Sequence, residues 1–185
     1  MEIDSRLTEK LAEFPSVSFQ GSVFRATAQN FDPTAPSING GRWAPRPNGE
    51  PGFPVLYASL AREGAIAEVA SYLALQQPMP SKPLLVHELL VTASKTITLV
   101  MADLKKLGVD PSRYGERNYA QTQMIGAAIN YMGLDGLISP CARWECQNLT
   151  LFMDHHALEE TLKAVASEKV DWLTWATEVG LIKGP

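Results

Sequence analysis

A stretch rich in glycine and proline interrupts the first third of the sequence and restricts what it can form. From Pro33 to Pro54, ten of 22 residues are Gly or Pro, against 26 of 185 in the whole chain. Proline lacks the amide hydrogen that helices and central strands need, so the stretch predicts neither element. It also contains Trp43 and Phe53, and disordered segments are usually poor in aromatic residues. We therefore predict a long functional loop rather than a disordered linker.

The composition predicts a single globular chain that is not a general nucleic-acid binder. Hydrophobic residues make up 45% and charged residues 19%, which is enough apolar material for a core. The net charge of −4 disfavours binding to a phosphate backbone but allows a small anionic ligand held by a few arginines. No apolar run approaches the ~20 residues of a membrane helix, and the acidic N-terminus does not look like a signal peptide. Two cysteines and three histidines without zinc-type spacing predict a reduced, soluble, cytoplasmic protein with no metal.

Hydrophobic periodicity and turn residues predict an irregular alternation of helices and strands. The predicted helices cover residues 1–14, 60–75, 102–107 and 119–132, with one or two more between 157 and 179. The predicted strands cover residues 17–27, 55–59, 83–92, 96–100, 137–139 and 149–153. Helix 119–132 is expected to bury Met124, Ala127, Ala128 and Tyr131, and the first C-terminal helix Leu158, Leu162 and Val165. No strand–GxGxxG–helix segment occurs, so the predicted fold class is α+β with a mixed or split sheet rather than a doubly wound fold.

Glu68 is the most informative single residue of the sequence. Ile66, Val69, Ala70 and Leu73 form the predicted buried stripe of its helix, and Glu68 lies on the opposite side. It is also the only charged residue between Gly64 and Ser81. A solvated glutamate is the ordinary interpretation, whereas an isolated carboxylate above small residues favours the wall of a cleft.

The segment Gly40-Gly41-Arg42-Trp43 lies within the loop, and Arg25 lies on the strand before it. Paired glycines allow the backbone to approach a ligand closely, and a guanidinium can hold a phosphate in two-point contact. The alternative is an ordinary turn with a surface arginine on Trp43. Arg46 is either a further phosphate contact or solvent-exposed. Tyr57 is either a core aromatic or a stacking surface for a flat ring.

A third polar region lies between two apolar strands, from Gly136 to Asn148. It contains Ser139, Cys141, Arg143, Glu145 and Asn148. Cys141 could act as a nucleophile if a neighbouring base lowered its pKa, and a buried inert thiol is the alternative.

Several blocks of the sequence together resemble the RES domain family. The blocks are FRAT at 24–27, GGRW at 40–43, VLYAS at 55–59, AIAEV at 65–69, YAQTQMIGAAINYMGLDGLISPCAR at 119–143 and NLTLF at 148–152. The resemblance covers residues 23–154 and implies a single RES-like domain over 1–185. Its core would be residues 17–154, with the helices 1–14 and 157–179 as additions. The family is named for an arginine, a glutamate and a serine, and it supplies the toxin of Xre–RES toxin–antitoxin pairs.

The resemblance implies a fold similar to ADP-ribosyltransferase toxins and consumption of NAD+ by hydrolysis or phosphorolysis. The family arginines fall on Arg25 and Arg42, the tyrosine on Tyr57 and the glutamate on Glu68. Cys141 takes the place of the family serine, because the usual Pro-Ser-Ala-Arg is Pro-Cys-Ala-Arg here. A thiol is a weaker hydrogen-bonding group than a hydroxyl, so activity could be altered or reduced. The implied catalytic residues are Glu68, Arg42 and Cys141, and the implied NAD+-binding residues are Arg25, Arg42, Tyr57, Ser139 and Asn148.

The chemistry of NAD+ agrees with a single essential carboxylate. Nicotinamide leaves as a neutral molecule and needs no general acid, so one carboxylate near the ribose can stabilise an oxocarbenium-like transition state. The resemblance also implies an Xre-type helix-turn-helix antitoxin as partner, without direct contact to nucleic acid or membrane. A homodimer or a hetero-oligomer would be compatible with this. The alternatives are a mono-ADP-ribosyltransferase acting on a protein, a Cys141-dependent hydrolase, and an inactive module that binds NAD+ or the antitoxin.

Overall fold

The computed structural model describes residues 4–46 and 52–182, and these residues form an α+β fold. The helices are α1 (Ser5–Ala12), α2 (Arg62–Leu73), α3 (Met101–Lys106), α4 (Ala120–Tyr131) and α5 (Trp172–Glu178), with a short 3₁₀ helix at Pro111–Arg113. The strands are β1 (Ser16–Thr27), β2 (Val55–Ser59), β3 (Leu84–Thr98), β4 (Gly136–Pro140), β5 (Gln147–Phe152) and β6 (Leu162–Val170). The prediction of an α+β fold with a mixed sheet is confirmed.

The strands form one sheet that closes on itself. Its order is β1-β2-β5-β4-β3-β6, and β1 also pairs with β3, so five strands form a ring from which β6 branches. The pairing of β3 with β4 is parallel, and the other pairings between the described strands are antiparallel. β2 and β5 lie side by side, with Tyr57 opposite Thr150 and Ser59 opposite Asn148. This register places candidate site residues from two distant parts of the chain in adjacent rows.

β3 is one long strand, whereas the sequence predicts two strands with a break after Thr92. β1 pairs with β3 on both sides of the polar residues Ser94 and Lys95, up to Ala93 and again from Thr96, and the register shifts between these two segments. The buried carboxylate of Asp135 accepts hydrogen bonds from the backbone N–H groups of both residues, at 2.7 and 2.9 Å. These contacts depend on residues far away in sequence, which explains why a local pattern misses them.

The predicted helix with Leu158, Leu162 and Val165 is wrong. Residues Leu162–Val170 form β6, which pairs antiparallel with β3, and Leu158 is fully exposed. The free edge of β3 offers unpaired backbone groups, and pairing with them outweighs a weak helical spacing. The sheet therefore extends beyond the predicted core boundary at residue 154. The second predicted C-terminal helix is present as α5, with Trp172 completely buried.

The described part of the Gly/Pro-rich loop packs against α4, and residues 47–51 lie outside the described residues. Trp43 is only 2% exposed, and a Cβ atom at Gly126 of α4 would lie 1.8 Å from its carbonyl oxygen. Helix α4 therefore needs glycine at this contact. The predicted stripe of α4 is partly wrong, because Met124 and Tyr131 are exposed while Ile125 and Ile129 are buried beside Ala128. The loop packs on α4 at Gly126, and the neighbouring side chains of Ile125 and Ile129 are the buried ones.

Candidate active site

A cavity of about 490 Å³ lies between α2, the Gly/Pro-rich loop and the adjacent strands β2 and β5. This volume is in the usual range for small-molecule sites. Its wall includes five of the residues proposed from the sequence, namely Arg25, Arg42, Tyr57, Glu68 and Asn148. Ser139 and Cys141 do not line it. The fold thus brings together residues that are up to 123 positions apart, counting from Arg25 to Asn148.

Glu68 lies in the cavity wall, half-buried, with one carboxylate oxygen fully engaged. Oε1 accepts from the side-chain amide of Asn148 at 3.1 Å, from the thiol of Cys141 at 3.3 Å and from the backbone N–H of Ala142 at 3.4 Å. Oε2 receives no hydrogen bond from a described residue. The carboxylate is therefore held in one orientation with one oxygen available to a ligand. Of the two interpretations left open by the sequence, the cleft wall is the correct one.

Cys141 is a hydrogen-bond donor to Glu68 in this structure. Burial, and then the nearby Glu68 carboxylate, raise the pKa of the Cys141 thiol to about 12. A thiol with this pKa stays protonated at neutral pH, and nucleophilic cysteines require the opposite shift. The geometry therefore favours an inert thiol that donates a hydrogen bond to the carboxylate.

Arg42 is fixed by two aromatic residues that the sequence analysis did not single out. Its Nη1 donates to the backbone carbonyl of Tyr114 at 2.8 Å. Its guanidinium carbon lies 4.4 Å from the ring centre of Tyr114 and 4.8 Å from that of Tyr119. No described carboxylate forms an ion pair with it. The group is thus oriented by cation–π contacts while its charge is left for an anion.

Arg25 also lines the cavity, and it additionally holds the Gly/Pro-rich loop in place through hydrogen bonds. Its Nη1 donates to the carbonyls of Pro33 and Ala35, both at 2.8 Å, which ties the start of the loop to β1. Burial lowers the pKa of Arg25, and the charge of Asp32 partly offsets this. The remaining guanidinium nitrogens donate no hydrogen bond to a described residue.

Tyr57 combines the two roles considered for it. Its hydroxyl accepts a hydrogen bond from the backbone N–H of Trp43 at 3.2 Å, and its ring forms part of the cavity wall. Burial raises the pKa of Tyr57 to about 12, so the phenol is neutral. A Cβ atom at Gly41 would lie 2.7 Å from the hydroxyl oxygen. The second glycine of the pair is therefore required by close packing on Tyr57.

Three other candidate residues, Arg46, Ser139 and Asn148, differ in their position relative to the cavity. Arg46 is exposed and does not line the cavity, in agreement with the solvent-exposed interpretation. Ser139 is completely buried, and its hydroxyl has no partner among the described residues. Asn148 lines the cavity and also orients Glu68, a second role that the sequence did not suggest.

Tyr114, Tyr119 and the backbone N–H of Ala142 contact the site residues without any sign of it in the sequence. Tyr114 is 72 positions from Arg42, and Glu68 is 74 from Ala142. No periodicity or local motif connects residues at such separations. The only available signal was the position of Tyr119 at the start of a family block, which carries no role by itself.

The described residues contain neither a cluster of three or more His, Cys, Asp or Glu side chains that could hold a metal nor a helix able to cross a membrane. The ring of strands and the cleft define an α+β protein in which one oriented carboxylate and two guanidinium groups share a ligand cavity.

Comparison with known proteins identifies the family. A model of the RES domain family matches residues 20–173, which is most of the chain, so the protein belongs to the RES domain family. The match includes β6, in agreement with the extended sheet. The crystal structure of the M. tuberculosis MbcT-MbcA toxin-antitoxin complex is similar, with a TM-score of 0.76 and 14% sequence identity over 98% of this chain and 100% of that chain. At this identity the likeness establishes the fold. No curated protein matches the chain in sequence.

Proposed function

We propose that the protein is the toxin of a toxin–antitoxin pair and cleaves the bond between nicotinamide and ribose in NAD+. The observation that carries this proposal is the state of Glu68. One of its oxygens is saturated by three donors, and the other is left for a ligand in a cavity that Arg25 and Arg42 also line. Membership of the RES domain family supports NAD+ as the substrate.

Glu68 would act on the ribose attached to nicotinamide. Its Oε2 would accept a hydrogen bond from the 2′-hydroxyl and stabilise the positive charge that develops on the sugar as the bond breaks. Nicotinamide leaves as a neutral molecule with the electron pair of that bond, so no second acid is required. Because Asn148 and Ala142 already hold the carboxylate, little reorganisation accompanies the reaction.

The arginines would bind the diphosphate without taking part in bond breaking. Arg42 presents its unused donors from between two aromatic rings, and this preorganisation suits a planar two-point contact with phosphate. Arg25 would contribute its remaining nitrogens from β1. Tyr57 would face the nicotinamide or its ribose.

Three alternatives can be distinguished from this proposal. Transfer of ADP-ribose to a protein would need the same Glu68 geometry, so the acceptor is a separate question from the bond cleaved. An inactive module was suggested by the replacement of the family serine with Cys141. The thiol nevertheless donates to Glu68, so the contact expected of a hydroxyl is retained. The raised pKa of Cys141 argues against a cysteine-dependent hydrolase.

The partner we propose is an Xre-type antitoxin that covers the cleft, with both proteins in the cytoplasm. The family supports this, and a protein of the same fold has been crystallised as a toxin-antitoxin complex. DNA contact would then belong to the antitoxin, in keeping with the net charge of −4 on this chain.

The test is to incubate the purified, folded protein with NAD+ and separate the products by chromatography and mass spectrometry. Reactions in phosphate-free buffer, in phosphate buffer and in cell lysate with labelled NAD+ distinguish water, phosphate and protein as acceptors. Nicotinamide release in any of them supports the proposal. No release in all three would contradict it, and binding without turnover would favour the inactive module.

A further inference from the structure

Cys141 and Cys146 face each other at the end of the hairpin formed by β4 and β5. The two strands pair up to Pro140 and Gln147, so the next step of this register sets Cys141 opposite Cys146. The backbone N–H of Cys141 donates to the carbonyl of Cys146 at 2.9 Å, so the register continues to this point. Opposite residues of antiparallel strands have Cα atoms about 4.5–5.5 Å apart, and disulfides need about 4.4–6.8 Å. The backbone separation therefore suits a disulfide.

The two thiols also lie under the same face of α2. Sγ of Cys141 donates to Glu68, and a Cβ atom at Gly64 would lie 2.5 Å from Sγ of Cys146. Gly64 and Glu68 are one helical turn apart, a spacing that puts Cβ positions about 5–6 Å from each other. Burial and then Glu68 raise the pKa of Cys141, and the nearby Cys146 adds to this shift. The sulfur atoms are therefore neighbours on one side of the hairpin.

The hairpin leaves both cysteines open to a small oxidant. Neither residue is fully buried, and both are free thiols in this structure. Trp144, in the turn between them, packs against Trp175 of α5 with ring centres 5.5 Å apart, which anchors the turn. Cysteine pairs that form disulfides in reducing compartments are usually transient and redox-sensing. The position of this pair beside Glu68 gives such a change a route to the site.

We propose that Cys141 and Cys146 form a reversible disulfide when the protein meets a hydroperoxide, and that this oxidation slows the enzyme. The effect on rate rests on the proposed cleavage of NAD+, whereas formation of the disulfide does not. A disulfide sulfur carries no hydrogen, so oxidised Cys141 cannot donate to Glu68. The carboxylate then loses one of the three donors that hold Oε1.

The oxidation proceeds in two steps. The thiolate of Cys146 attacks the peroxide, which gives a sulfenic acid on Cys146 and releases one water. The sulfur of Cys141 then attacks the sulfenic sulfur, and its proton leaves with the hydroxide as a second water. The two cysteines lose two electrons in total, and the peroxide gains them. Cys146 reacts first, because the raised pKa of Cys141 keeps that thiol protonated. The second step is intramolecular, so proximity compensates for a weak nucleophile.

The experiment treats the folded protein with hydrogen peroxide, blocks the remaining thiols and digests the chain with trypsin without a reducing agent. Arg143 lies between the two cysteines, so trypsin separates peptide 118–143 from peptide 144–163 unless a disulfide joins them. Mass spectrometry should find the joined peptides after peroxide and the separate ones after dithiothreitol. Nicotinamide release should fall by about tenfold on oxidation, the effect of one hydrogen bond to a charged group, and recover on reduction.

Cys146→Ser is the matched control. It leaves the hydrogen bond from Cys141 to Glu68 in place and removes the second sulfur. Its hydroxyl can keep the contact with Oγ of Ser59, which lies 3.3 Å from Sγ of Cys146. We expect this variant to release nicotinamide at the rate of reduced wild-type protein, with the same rate after peroxide.

The outcomes separate this inference from the proposed function. If peroxide produces no joined peptides, or joins two copies of the chain into a dimer on a non-reducing gel, the disulfide is overturned. If the disulfide forms without a change in rate, or if peroxide slows Cys146→Ser as much as wild type, control of the activity is overturned. If reduced wild-type protein releases no nicotinamide, the proposed function is contradicted, and the peptide map still decides whether the disulfide forms.

Discussion

The side-chain amide of Asn148 on β5 donates a 3.1 Å hydrogen bond to Oε1 of Glu68 on α2. This contact joins the sheet to the helix in the wall of the cavity. With the thiol of Cys141 and the backbone of Ala142, it fixes the carboxylate before any substrate arrives. Groups held in this way stabilise a developing charge without the cost of reorientation.

Replacing Cys141 tests the role of the thiol as a donor. Cys141→Ser keeps a donor of similar size at this position, so nicotinamide release should stay at or above the wild-type rate. Cys141→Ala removes one of three donors to Oε1 and should slow release by about tenfold, the effect of one hydrogen bond to a charged group. Steady-state rates at saturating NAD+ provide the measurement. A complete loss of activity in both variants would instead indicate a nucleophilic cysteine.

The stability of the protein should fall at alkaline pH. The pKa values of Cys141, Tyr57 and Tyr114 are each raised to about 12 in the folded state, from ordinary values of 9.0, 10.0 and 10.0, and burial is the first cause in each case. Their contribution to stability is complete below the unfolded-state pKa values. It is lost as the pH rises through the folded-state values, because the unfolded chain releases these protons first.

Urea unfolding at a series of pH values measures this effect. The free energy of unfolding should decrease from about pH 9 towards about pH 12, and Cys141→Ala should flatten the first part of that decrease. A stability that is constant over this interval would show that these groups are not buried as described.

Arg42→Lys should weaken substrate binding more than it slows chemistry. Lysine cannot make the two-point contact of a guanidinium or lie flat against Tyr114 and Tyr119. We expect the KM for NAD+ to rise by about tenfold or more, with a smaller change in kcat, as for loss of a charged hydrogen bond. Arg46→Lys is the control, because Arg46 is exposed and outside the cavity. An equal effect of both substitutions would contradict a role of Arg42 in binding the substrate.

Much of the fold follows from local patterns in the sequence, and the errors occur where distant pairing decides. Strand 55–59 and the helix with Glu68 are set by local apolar spacing and were placed within a few residues. β6 and the continuity of β3 depend on backbone pairing between strands that are far apart in sequence. A helical spacing such as that of Leu158, Leu162 and Val165 cannot reveal that an open strand edge lies nearby.

In the candidate site, too, local signals predict some residues, whereas contacts between distant parts of the chain could not be predicted. Glu68 and Arg42 were identified from their isolation and from a short motif, both of which are local signals. The contacts that orient them come from Asn148 and Tyr114, more than 70 residues away in each case. Ser139 is a polar residue in a polar segment, but it is completely buried and does not line the cavity, and its local sequence gives no sign of this.

Gly126→Ala tests whether the loop is fixed by its contact with α4. The new methyl group would collide with the carbonyl of Trp43, where a Cβ atom would lie 1.8 Å from the oxygen. Backbone cannot yield as a flexible side chain does, so we expect a loss on the order of 3 kcal/mol in unfolding free energy. Gly21→Ala is the control, because its nearest contact would be 3.4 Å from the ring of Phe19. Equal melting temperatures for the two variants would contradict the docking of the loop.

The rate of nicotinamide release by Glu68→Gln, measured beside Glu63→Gln, tests the central claim most directly. Both residues lie on α2, but Glu63 pairs with Arg62 and does not line the cavity. Glutamine keeps the shape of the side chain and removes its charge. We expect Glu68→Gln to release nicotinamide on the order of 10²-fold or more slowly than wild type, with Glu63→Gln unchanged. Release by folded Glu68→Gln at the wild-type rate would contradict the role of this carboxylate in breaking the bond.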